Sequence, residues 1–176
     1  MDHLAGHAPR SVPRPPRPLT AHAARVGAGV LLTLTGLVVA GAATHSSLIV
    51  APFAATAALK HAAPHARLAR PRNVIGGYLI GASAGFGVGL LAPGPGIATA
   101  IAAGLAATAM SRLDVEHPPA VAMAVIAVEL PVPWMLQVAA AGALVMTAST
   151  VLLSPLLHRR VYPRSAARLV GDAPAA

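Results

Sequence analysis

The chain has 176 residues, of which 56% are hydrophobic and 10% charged; a soluble domain normally carries about 25% charged residues to keep its surface wet. The net charge of +8 does not imply a nucleic-acid partner, because Arg10, Arg14, Arg17, Arg67, Arg70, Arg159, Arg160, Arg164 and Arg168 all lie between or outside apolar tracts, where topology signals belong. With no cysteine, disulfides, thiolate metal sites and thiol redox chemistry are excluded.

Residues 1–24 are rich in Pro and Arg and carry His3, His7 and His22, the composition of a disordered basic cytoplasmic tail. Ala40-Gly41-Ala42 has the look of a signal cleavage site, but the charged leader is long and further membrane tracts follow. The membrane domain is expected over 25–158, with a second basic tail at 159–176. Mean hydropathy is +0.68. The tracts 26–59, 73–111 and 130–158 contain no Asp, Glu, Lys or Arg. Each exceeds the roughly 20 residues needed to cross a bilayer.

The first crossing is predicted from about Val26 to Ala43, with Gly29, Thr33 and Gly41 on a small face. Thr44-His45-Ser46-Ser47 precedes a short piece, Leu48 to Leu59, which contains Pro52. About 12 residues reach some 18 Å, short of a hydrocarbon core of about 30 Å. This piece is either a short crossing or a re-entrant half-helix. Lys60 to Arg72 reads as a basic loop. Its His61 and His65 have i, i+4 spacing, but Pro64 between them breaks the helix a metal pair would need.

A helix follows from about Asn73, placed to cap it, to Leu91. Gly77, Gly81, Gly85 and Gly89 recur at every fourth residue and so share one face. In water such a series would weaken the helix by about 1 kcal/mol per glycine; in lipid it lets two backbones approach closely. This is the expected central packing element. After the turn Pro93-Gly94-Pro95-Gly96, the chain returns from Ile97 to Ser111, with Gly104 and several alanines available to face the ladder.

Asp114, Glu116, His117, Pro118 and Pro119 form a second polar node before a short apolar piece, about Ala120 to Val128. Glu129, Pro131, Pro133 and Trp134 mark a break at the membrane interface. The last helix is predicted from about Met135 to Leu157. The fold class is thus all-α, a polytopic helical membrane bundle of about six segments. Long, short, long recurs in both halves, compatible with an inverted 3+3 repeat. A four-helix arrangement with two re-entrant pieces stays open, although it would place the 60–72 loop outside.

Glu116-His117-Pro118-Pro119-Ala120 resembles the tripeptide block that names the HPP family of integral membrane proteins. Ala51-Pro52-Phe53-Ala54-Ala55-Thr56-Ala57, Ala63-Pro64 with Leu68-Ala69, and Arg70-Pro71-Arg72-Asn73-Val74-Ile75-Gly76-Gly77 resemble further blocks of that family in order and spacing. The resemblance covers about 26–158. It implies a small membrane domain, with some members similar to nitrite transporters of cyanobacteria and plastids. This chain departs in having Tyr78 where the family usually continues with His. It also has Val121-Ala122-Met123 where a Gly-containing run is usual.

Two readings attach to each node. His117 with Pro118 and Pro119 is a helix start capped by His117 or Glu116, or a broken helix whose free N–H groups face an anion. Arg72 and Asn73 either snorkel to the headgroups or attract an anion at a helix start. His45 and Ser46 mirror the His117 node and would line the same cavity. Asp114 and Glu116 read as interfacial carboxylates or as gating groups. The expected partners are the lipid bilayer, a small anion and, for so small a chain, further copies of itself. No cofactor or metal is expected. No nucleophile motif or carboxylate pair suggests an enzyme. The single lysine amid abundant Ala, Pro and Arg points to GC-rich coding, hence a bacterial plasma membrane. The rival function is a non-transporting accessory subunit that packs through its Ala and Gly faces.

Overall fold

A computed structural model describes residues 20–40, 50–92 and 96–158. The described residues form α1 (Ala21–Ala40), α2 (Val50–Ala62), α3 (Pro71–Leu91), α4 (Ile97–Arg112), α5 (Pro118–Glu129) and α6 (Met135–His158), with a 3₁₀ turn at Arg67–Ala69. Three helices are long and apolar enough to cross a membrane: Ala21–Val39, Pro71–Leu91 and Met135–Leu157. The two expected tails (1–19 of the first and all of 159–176), Gly41 and residues 93–95 lie outside the described residues.

α1 begins inside the stretch expected to be a tail, because the Thr20 hydroxyl accepts a bond from the Ala23 N–H at 3.2 Å and caps it. α3 also starts earlier than expected. Pro71 occupies its first position and Arg70 is the cap (φ −64°, ψ 147°). A proline disfavours helical geometry in the residue before it and needs no N–H partner in the first turn. Asn73 therefore sits one turn inside, and its Nδ2 donates to the Glu116 carbonyl at 3.0 Å instead of capping α3.

The glycine ladder packs on α5. An added Cβ at Gly77 would lie 2.7 Å from the His117 Cβ; at Gly81 it would strike the Ala120 carbonyl oxygen, and at Gly85 that of Ala124. At Gly89 it would come within 2.9 Å of Pro131 and 3.0 Å of the Val128 carbonyl oxygen. The matched advance of four residues on both helices makes α3 and α5 parallel. The expectation that Gly104 of α4 faces the ladder fails: Gly104 is exposed, with nothing within 4 Å of its would-be Cβ. α4 instead buries Ala98, Ala102, Ala106 and Met110, a regular i, i+4 stripe.

Side-chain contacts set the other directions. Gly29 and Thr33 of α1 lie against His61, at the far end of α2, so these helices are antiparallel. Phe53 packs on Gly142 and Lys60 meets Thr147, so α2 and α6 are parallel. The six helices alternate in direction, with Arg25, Arg67, Arg70, Arg72 and Arg112 gathered at one end. α2 returns to the end where α1 begins, the direction that the six-segment arrangement requires.

α1 packs on α2 and α6, α2 on α5 and α6, α3 on α4, α5 and α6, and α4 on α5. Exchanging α1 with α4, α2 with α5 and α3 with α6 leaves this set of main neighbours unchanged and reverses every direction. An inverted 3+3 arrangement has this property. The halves differ in tightness: α3 meets α5 through four glycines, whereas α6 meets α2 where Gly142 receives the Phe53 ring.

Candidate functional site: a buried polar cluster

α5 starts beside Gly77, six residues into α3, so its first turn lies about 9 Å below the start of α3. The segment 113–117 fills the layer above it. Val115 is buried there, 3.2 Å from where a Gly76 Cβ would stand. His117 is the cap residue, with Pro118 and Pro119 opening the helix, but its side chain makes no cap bond. The ring turns inward and is fully buried.

Its hydrogen bonds fix the ring's orientation. Nδ1 lies 2.8 Å from the Leu68 carbonyl oxygen, which can only accept, so Nδ1 carries the proton. In the neutral imidazole Nε2 then accepts from the Thr56 hydroxyl at 2.8 Å. The Tyr78 hydroxyl lies 2.7 Å from Thr56 and donates to it. Thr56 is also 3.1 Å from the Pro52 carbonyl oxygen, but its single hydrogen serves the shorter bond to the imidazole. The result is a directed chain, Tyr78 to Thr56 to His117 to Leu68, that ties α3, α2, α5 and the 3₁₀ turn together. Phe53 stacks on Tyr78 with ring centroids 4.7 Å apart and covers one side.

The start of α5 presents few free N–H groups of the kind expected to face an anion. Pro118 and Pro119 have no N–H, and the Ala120 N–H is bonded to the His117 carbonyl at 2.9 Å. Arg72 does not join His117 either. It is exposed, donates to the Leu113 carbonyl at 3.1 Å and lies 3.7 Å from Asp114. Arg67 pairs with Asp114 and, at 3.0 Å, with Glu116, which also accepts from Ser111 at 3.2 Å. Asn73 braces the backbone just before His117. Glu129 is exposed. His45 and Ser46 lie outside the described residues.

The residues that reading the sequence did not find are on α2. Lys60 and His61, expected in a loop, belong to its last turn and are fully buried. Lys60 Nζ donates to Thr147 at 3.5 Å, and His61 Nε2 lies 2.9 Å from the Thr33 hydroxyl. A signal was present: Pro52, Thr56 and Lys60 stand four apart, so one helical face continues through the supposed loop boundary. The buried polar set comprises Thr33, Thr56, Lys60, His61, Asn73, His117, Thr150 and Ser154. No Asp or Glu is buried among the described residues.

The family model described as HPP, transmembrane region, matches residues 13–163. No curated protein and no solved structure matches the chain.

Proposed function

From the chain's membership of the HPP transmembrane family and from its buried cluster, we propose that this multi-pass membrane protein carries a small monovalent anion, such as nitrite, across the bilayer. Lys60 carries the reading. An ionisable side chain inside a membrane bundle is costly and typically marks a solute or ion pathway. Lys60 is buried on a short helix beside the Thr147 hydroxyl, four residues from Thr56. A basic group beside hydroxyls, with no Asp or Glu buried among the described residues, favours an anion over a cation. By the positive-inside rule the arginine-rich end faces the cytoplasm, in a bacterial plasma membrane. Thr56 and His117 share the hydrogen bond of a nucleophile and its base, but Tyr78 and Leu68 hold both inside the bundle, and we assign them no reaction.

The test is flux into proteoliposomes. Wild-type protein should take up nitrite faster than a cation of similar size. Lys60→Met should lose most of that uptake while staying folded, since it removes an ionisable group that is costly inside the bundle and keeps an apolar chain of similar length. A folded preparation with no anion flux, with or without a pH gradient, would overturn transport. The accessory-subunit reading would then account better for the outward stripe of Ala100, Gly104 and Thr108, which suits packing against another helix.

A further inference from the structure

The geometry points to a second site, a cup at the arginine-rich end that binds a phosphate group. It has a volume of about 600 Å³ and is walled by His22, Arg25, His61 and His65, with the turn after α2 closing one side. His22 and Arg25 lie three residues apart on the first turns of α1 and project to the same side. His61 is held in place by Thr33 at 2.9 Å. His65 comes from the turn between α2 and the 3₁₀ segment.

Among the described residues the walls contain one guanidinium and three imidazoles, and no carboxylate. The two acids of the neighbouring loop, Asp114 and Glu116, are engaged by Arg67. A guanidinium fork matches two oxygens of a phosphate, and the exposed His22 on the same side of α1 supplies a further N–H donor. Metal binding fits less well, since among the described residues no three His, Asp or Glu side chains are grouped to hold an ion. The volume lies in the range of small-molecule pockets, about 300–1,000 Å³, so it has room for a phosphate with an organic body attached. That chemistry comes from a soluble phosphomonoester or from an anionic lipid headgroup. The cup is argued from its own walls and does not depend on transport.

The experiment uses the full chain. Inorganic phosphate is titrated calorimetrically into detergent-solubilised protein, and retention of phosphatidylglycerol over phosphatidylcholine is read by native mass spectrometry. Arg25→Gln should weaken whichever interaction is seen by about tenfold or more, and His22→Ala should weaken it too. Arg112→Gln, exposed on α4 and outside the cup, is the control. Arg25 and His22 are exposed, so both variants should fold. Saturable phosphate binding that Arg25→Gln removes supports the cup with a soluble ligand. Lipid retention that Arg25→Gln removes, without phosphate binding, supports it with a headgroup. Neither signal, or a signal that Arg25→Gln leaves unchanged, overturns it. Nitrite flux on the same preparations separates the two proposals. Flux without cup binding removes only the cup, and cup binding without flux removes only transport.

Discussion

Thr56 and His117 stand 61 residues apart in the chain and 2.8 Å apart in the bundle, joined by a hydrogen bond with no access to water. One hydroxyl satisfies two buried partners, because Tyr78 donates to the same oxygen. Thr56→Val keeps the shape and deletes both bonds. Leaving a buried polar group unsatisfied costs about 1–3 kcal/mol. A clear drop in melting temperature in detergent is expected, with Thr56→Ser near wild type. Equal melting of the Val and Ser variants would show that the chain of hydrogen bonds does not hold the bundle.

The glycine ladder makes a sharper prediction than leucine scanning would. At Gly81 and Gly85 even a methyl group meets a backbone carbonyl, which cannot move aside as a side chain can. Gly81→Ala and Gly85→Ala should each cost about 1–3 kcal/mol by overpacking. Gly87→Ala, on the same helix with nothing within 4 Å, should be tolerated. Folded yield and thermal stability in detergent check this, and similar values for all three would mean that α3 and α5 do not pack as described.

At the other tight contact, the Gly142 position is filled by the Phe53 ring, itself stacked on Tyr78. Gly142→Ala should therefore destabilise, and shortening the opposing side chain should recover part of the loss. The double variant Gly142→Ala with Phe53→Leu should melt above the sum of the two single effects. A double-mutant cycle with no coupling would contradict the contact, since neighbours that share space couple by about 0.5–3 kcal/mol.

Helix direction is open to a chemical test, because the chain has no native cysteine. Ala62→Cys and Ser111→Cys lie at the arginine-rich end, and Ala92→Cys lies at the other. All three positions are exposed. In intact cells an impermeant thiol reagent should label position 92 and spare 62 and 111. Labelling of 62 together with 92 would mean that α2 does not cross.

Arg72 illustrates how a motif residue takes a surface role. Its bonds to Leu113 and Asp114 are exposed, and such ion pairs contribute about 0–1 kcal/mol. Arg72→Ala should leave the melting temperature nearly unchanged and reduce nitrite uptake far less than Lys60→Met. Loss of uptake at Arg72 equal to that at Lys60 would shift the pathway to the mouth of the bundle.

Composition and periodicity by themselves determined the membrane class, the six segments, the shared face of Gly77, Gly81, Gly85 and Gly89, and the helix start at Pro118 and Pro119. These depend on local properties: length against bilayer thickness, the helical repeat, and a proline's missing N–H. What faces the ladder is a long-range fact. Both α4 and α5 are rich in small residues, and only the parallel register with Ala120, Ala124 and Val128 selects α5. The same limit applies to the polar residues. Lys60 and Arg72 each border an apolar tract, and nothing local says that one turns into the bundle and the other toward Asp114 at its surface. α2 decides it. The helix runs on to Ala62, which carries Lys60 inward on the face of Thr56, while Pro71 starts α3 early enough to leave Arg72 outside.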